Sequence, residues 1–232
     1  MKEAKNIFYY LVLSTAAFVL VLIMTLVKPT NANAITQMDK LILSGAFFTS
    51  CILGISLAIY PNWWRKGKKN DNLSHLPTKK TGVPFYGHHP DCPMFKDHVI
   101  NIKNKARCAG CLGLLIGALI SILLMIFYLV FPLNFLEIVY YALILFGFLI
   151  IIFIYFEIIS KKRNAFFHIG LNILLVFGFF IITISVFEIT KEIIYGLLTV
   201  ILCFLWLDTR IHISKYQHSR ICTSCKQSCK SF

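Results

Sequence analysis

Six apolar runs, most of them near the roughly 20 residues a helix needs to cross a bilayer's hydrocarbon core, constrain this chain more than any other feature. They are Ile7 to Val27, Leu41 to Tyr60, Ala109 to Phe131, Phe135 to Ile159, Phe166 to Phe187 and the shorter Ile193 to Leu207. Lys28-Pro29, Pro61-Asn62, Pro132-Leu133-Asn134, Lys161-Lys162-Arg163 and Glu188 to Glu192 separate them. The 232 residues are 58% hydrophobic and 14% charged, and mean hydropathy is +0.74. A soluble domain of this length has too little interior to hide that much apolar surface, so the excess faces lipid. The expected fold is an all-α polytopic transmembrane bundle of about six spans, with a small Cys/His-rich loop and tail. Residues 1–60 hold two spans, 61–107 form a basic loop, 108–207 hold four more spans, and 208–232 are the tail. Ala32-Asn33-Ala34 has the form of a signal cleavage site. The run before it is longer than a signal core and Lys28-Pro29 intervenes, so it reads as a span.

The lysines and arginines set the expected orientation. With the N-terminus in the cytosol, the inner segments carry 20 of the 23 lysines and arginines, ten of them between Arg65 and Arg107. The outer loops carry only Lys28, Lys40 and Lys191. This is the asymmetry of the positive-inside rule, and it places both termini in the cytosol of a multi-pass cell-membrane protein. The net charge of +13 would suggest nucleic acid in a soluble protein. Here the charges crowd into loops between spans, so anionic lipid headgroups are the expected partner and nucleic acid is not. Trp63 and Trp64, followed by Arg65, Lys66, Lys68 and Lys69, read as an interfacial anchor.

Of the eight cysteines, Cys51 and Cys203 lie within spans and read as small hydrophobes. The other six form two groups. The first is His88-His89-Pro90-Asp91-Cys92, then His98, then Cys108-Ala109-Gly110-Cys111. The C-x-x-C spacing of Cys108 and Cys111 lets two thiolates chelate one ion. In a reducing cytosol such clusters signal metal or redox chemistry rather than structural disulfides. His98 to Ile102 reads as a short strand and Lys103-Asn104-Lys105 as a turn, leading the cysteine pair to the N-terminus of the third span. There the helix dipole, with Lys105 and Arg107 nearby, favours ligation or nucleophilicity. Cys92, Cys108 and Cys111 are the expected ligands, with His88 or His89 as the fourth. A metal-free redox dithiol and a packing role are the other readings. Gly110, Gly113 and Gly117 make a small-residue face that lets another helix approach closely.

The second group is His218-x3-Cys222-x2-Cys225-x3-Cys229. A helical tail would align these four on one face, with residues 218 and 229 about 16 Å apart, too far to share an ion. Either the tail folds as a compact knuckle, or it completes sites begun by the loop, for example with Cys108, Cys111, Cys222 and Cys225. Glu157 and His168 lie near the cytosolic ends of their spans; ionisable groups at that depth are functional candidates, but near a helix end such side chains more commonly just reach the interface. Glu137 and Glu188 receive no role, and Asn172 reads as an interhelical hydrogen-bond partner. Phosphate-binding glycine loops, G-x-S-x-G and H-E-x-x-H are missing, as are repeated charges at mid-membrane.

The stretch from Gly87-His88-His89-Pro90-Asp91-Cys92 to Cys108-Ala109-Gly110-Cys111-Leu112-Gly113 resembles an uncharacterised family of small prokaryotic membrane proteins, domain of unknown function 2085. Its mark is a His/Cys segment followed by Cys-Ala-x-Cys-x-Gly opening a transmembrane helix. The resemblance covers residues 85 to 120; Leu112 stands where threonine is frequent, and the tail falls outside the pattern. It implies a membrane location and a shared Cys/His site, and no activity. Three functions follow from the residues. The first is a cytosolic zinc site of structural or partner-docking role. The second is a membrane redox protein with an iron–sulfur cluster or reactive dithiol. The third is a transporter or lipid-modifying enzyme stabilised by the site.

Overall fold

A computed structural model describes residues 2–27, 34–59, 85–86, 99–102, 105–131, 135–160 and 164–224. The described residues form six helices and three short strands: α1 (Lys2–Leu26), α2 (Gln37–Ile59), β1 (Phe85–Tyr86), β2 (Val99–Ile102), β3 (Lys105–Cys108), α3 (Ala109–Val130), α4 (Glu137–Ile159), α5 (Ala165–Thr190) and α6 (Ile193–Ser224). Each helix holds a stretch long and apolar enough to cross a membrane. The chain is an all-α, multi-pass membrane bundle with a small sheet at one end.

Helix starts follow local chemistry. At α2, Asp39 Oδ2 accepts from the Thr36 backbone at 3.0 Å, while Thr36 Oγ1 accepts from the Asp39 backbone at 3.2 Å, a reciprocal capping box. The Asn164 side chain caps α5 by accepting from the Phe166 backbone at 3.0 Å. At the other end of α5, Lys191 takes the left-handed conformation (φ 56°) and its N–H closes onto Phe187 O.

Helix α5 is the centre of the bundle, packed against α3, α4, α6 and α1. Its contact with α3 is set by glycine. A Cβ on Gly113 would lie 2.6 Å from Ile169 O and 2.7 Å from Asn172 Cβ, and one on Gly117 3.0 Å from Ile173 Cα. Lipid tails are as apolar as leucine, so helices in a membrane gain cohesion from such close van der Waals contact rather than from escaping water. The small-residue face expected from the sequence is therefore the α5-facing side of α3. Asn172 differs from expectation: its amide donates to His168 O within α5, because α3 presents only glycine opposite it.

A second knot joins α1, α4 and α6. Trp206 is fully buried, its Nε1 donating to Ser14 O at 3.2 Å, and Tyr155 donates to Trp206 O at 2.9 Å. The last helix runs well past the Leu207 at which its apolar stretch ends. Thr209 returns its hydroxyl to Leu205 O at 2.8 Å, and His212 stacks on Tyr10 with ring centroids 3.8 Å apart, so the polar residues after Leu207 find partners and helix continues. Cys51 and Cys203 are buried among apolar side chains, as expected of small hydrophobes. At the end opposite the sheet, Glu188 is buried and held by Tyr128 at 2.6 Å and Lys191 at 2.7 Å.

Gly113→Ala must push α3 off the α5 backbone, an overpacking cost of about 1–3 kcal/mol. Thermal melting in detergent should show a lowered midpoint for Gly113→Ala and none for Gly45→Ala, whose added methyl meets nothing within 4 Å. Equal midpoints would show that the glycine contact does not set the helix spacing.

Candidate functional site at the cysteine end of the bundle

The sheet delivers the cysteine pair to α3. Strands β2 and β3 pair antiparallel with Val99 opposite Cys108 and Ile102 opposite Lys105; β2 lies where the sequence pattern predicts a strand, whereas Lys105, read there as a turn residue, belongs to β3. On the other side of β3 lies β1, paired in parallel with Tyr86 opposite Arg107. This strand has no local sequence signal: it is two residues long, and its partner lies twenty residues on. Cys108 ends β3 and is the N-cap of α3, with extended backbone (φ −66°, ψ 123°). Cys111 occupies the first turn, three residues on, and the two thiols are close enough to interact. Cys108 is buried and Cys111 partly so.

Behind the pair, α4, α5 and α6 each contribute a charged or titratable group. Glu157, His168 and Arg210 are only 8%, 7% and 7% exposed. His168 Nδ1 lies 3.1 Å from Glu157 Oε2, and Nε2 lies 3.5 Å from Arg210 Nη2. One tautomer serves both contacts: Nδ1–H donates to the carboxylate while Nε2 accepts from the guanidinium. The imidazole therefore bridges an acid and a base. Arg210 is within electrostatic reach of both Cys108 and Cys111. The seat is Gly110, between the two cysteines: a Cβ there would lie 3.0 Å from Arg210 Nη2 and 3.2 Å from His168 Nε2. Any side chain on residue 110 would wedge the charged row away from the thiols. Arg210 Nε is buried and has no hydrogen-bond partner among the described residues.

The expected site residues divide into three sets. Cys108 and Cys111 are brought together. His88, His89 and Cys92 lie outside the described residues, as do Cys225 and Cys229. His218 is half-buried on α6, and the backbone of Cys222 stands in the same helix. Because α6 stays helical through Ser224, Cys222 is twelve residues beyond Arg210, about 18 Å of helix rise. That spacing separates the backbone of Cys222 from the level of the C-x-x-C pair. Among the described residues no three His, Cys, Asp or Glu side chains form a metal-holding group.

Two expectations change. Glu157 and His168 do not reach outward to the interface; they are buried and bonded to each other. Arg210, counted in the sequence with the basic tail, is part of the bundle. A signal for it exists: Cys203, Trp206, Arg210 and Ile213 recur at helical spacing and all four are buried. No family model, curated protein or solved structure matches the chain.

His168→Leu would leave an acid and a base buried without the ring that joins them, a loss of about 3–5 kcal/mol for a broken buried pair. A much lower melting midpoint in detergent is the expected result; an unchanged midpoint would contradict the bridging role.

Proposed function

We propose that this membrane protein holds a zinc ion at the cytosolic end of its bundle, ligated by Cys108, Cys111 and Cys92 with His88 or His89 as the fourth ligand. The zinc clamps the basic loop onto α3 and offers a protein-docking face beside anionic lipid headgroups. The carrying observation is the sheet. Tyr86 is held beside Arg107 and Val99 beside Cys108, so the twelve residues between β1 and β2 leave from and return to the cysteine end. With β3 between them, β1 and β2 stand about 10 Å apart, two strand spacings, which a twelve-residue connection bridges with ample slack. His88, His89 and Cys92 belong to that connection and are within chain reach of the pair. A structural zinc site is closed and four-coordinate, so two thiols fixed at a helix N-terminus call for two more ligands from nearby chain.

The donor set suits zinc. Cys108 and Cys111 share one short turn, as chelation of a single ion requires. The likeness to the uncharacterised prokaryotic family supports a Cys/His site over the same residues, and the lysine and arginine distribution supports a cytosolic placement for it. In this reading the tail group of His218, Cys222, Cys225 and Cys229 is separate from the loop site, because α6 carries His218 and Cys222 beyond the pair. A redox reading has its own observation: a thiol pair at a helix N-terminus beside a buried arginine is also the setting of a reactive dithiol.

Metal analysis and optical absorbance of anaerobically purified protein separate the readings. Colourless protein with one or two zinc ions is expected, with one lost in Cys108→Ser and in Cys92→Ser and none in Cys203→Ser. Brown protein with charge-transfer bands would support an iron–sulfur cluster instead. Equal loss in Cys108→Ser and Cys203→Ser would overturn the ligand assignment.

A further inference from the structure

A buried arginine in a membrane bundle needs a reason, because an ionised side chain loses much of its hydration there. Arg210 is joined by His168 to Glu157, but the imidazole stands between the two charges. On its other side the guanidinium lies against the first turn of α3, where a Cβ on Gly110 would stand 3.0 Å from Nη2. Helix N-termini are themselves electropositive, and those of α3 and α5 both lie at this end. Arg210 Nε is left without a hydrogen-bond partner among the described residues. A cation and a helix N-terminus thus converge on the cysteines, an arrangement that disfavours a neutral or positive occupant and favours a negative one.

We infer that Arg210 is the charge-balancing positioning residue of the cysteine site, and that the site is built for an anionic, thiolate-rich complex of a soft divalent metal. This rests on the zinc reading above and makes it more specific. Zinc with three thiolates and one neutral imidazole carries a formal charge of −1, whereas two thiolates and two imidazoles would be neutral. The three-thiolate set is the one that Cys92, Cys108, Cys111 and a single histidine provide, and it is the one a buried cation stabilises. Groups that orient ligands from outside the coordination sphere commonly change metal affinity 10- to 100-fold. Glu157 sits at the far end of the row with the opposite charge, so its removal must act in the opposite direction.

The test is zinc retention against a competing chelator, measured on detergent-purified wild type, Arg210→Gln, Arg210→Lys and Glu157→Gln. Glu157→Gln is isosteric and Arg210→Gln keeps a hydrogen-bonding group on a shorter side chain, and melting midpoints of the zinc-stripped proteins report on folding separately. Arg210→Gln should weaken zinc about tenfold or more, Arg210→Lys should recover part of that loss, and Glu157→Gln should bind at least as tightly as wild type. Weakening in both glutamine variants would mean that the row is merely structural and would overturn the inference. Wild-type retention in Arg210→Gln would overturn it too, leaving the zinc site intact. If Arg210→Gln is not recovered folded, Glu157→Gln decides alone, weaker binding overturning the inference. A wild type that binds no zinc would sink the site and this inference together.

Discussion

The close approach of α3 to α5 is the constraint from which the rest of the cysteine end follows. Gly113 and Gly117 leave α3 bare of side chains where it crosses α5, and the α5 backbone at Ile169 and Ile173 fills the space. In lipid that contact stands in for the hydrophobic drive that soluble helices share. It fixes the height of the first turn of α3 against the first turn of α5. Cys108, Cys111 and His168 therefore meet at one level, and the same face that packs two helices also admits Arg210.

Charge is handled at both ends of the bundle by pairing rather than by exposure. Glu188 is neutralised by Lys191 and hydrogen-bonded by Tyr128 at one end; Glu157, His168 and Arg210 form a row at the other. The two ends differ in what lies beyond the pairing. Around Glu188 the partners are an adjacent lysine and a tyrosine, and Lys40 lies over that tyrosine's ring. The row at the cysteine end leads through Arg210 to two thiols and to the small sheet that ends in Cys108. That asymmetry is why the functional reading is placed at this end.

Much of the architecture was legible from residue pattern, because lipid imposes simple rules. Apolar length located all six helices, and Val99 to Ile102 read as a strand from its alternation and the turn residues after it. What escaped had a physical reason. Hydropathy stopped the sixth span at Leu207, since an apolarity measure cannot see that Thr209, Arg210 and His212 find partners inside the bundle. The glycine face announced a close neighbour without naming it, because identity of the partner is a tertiary fact. Glu157 and His168 stood near helix ends, where snorkelling is the commoner outcome, and only the arrangement of α4 and α5 shows them facing each other. The pairing of β1 with β3 joins segments twenty residues apart and left no periodicity to read.

If loop and helix cysteines surround one metal ion as proposed, its coordination shell carries their signature. X-ray absorption at the zinc edge of the intact protein, with Cys222, Cys225 and Cys229 replaced by serine to silence the tail, would report ligand type and number. The account predicts three sulfurs at about 2.3 Å and one nitrogen at about 2.0–2.1 Å. A shell of oxygen and nitrogen alone, or one with two sulfurs that is unchanged by Cys92→Ser, would contradict it.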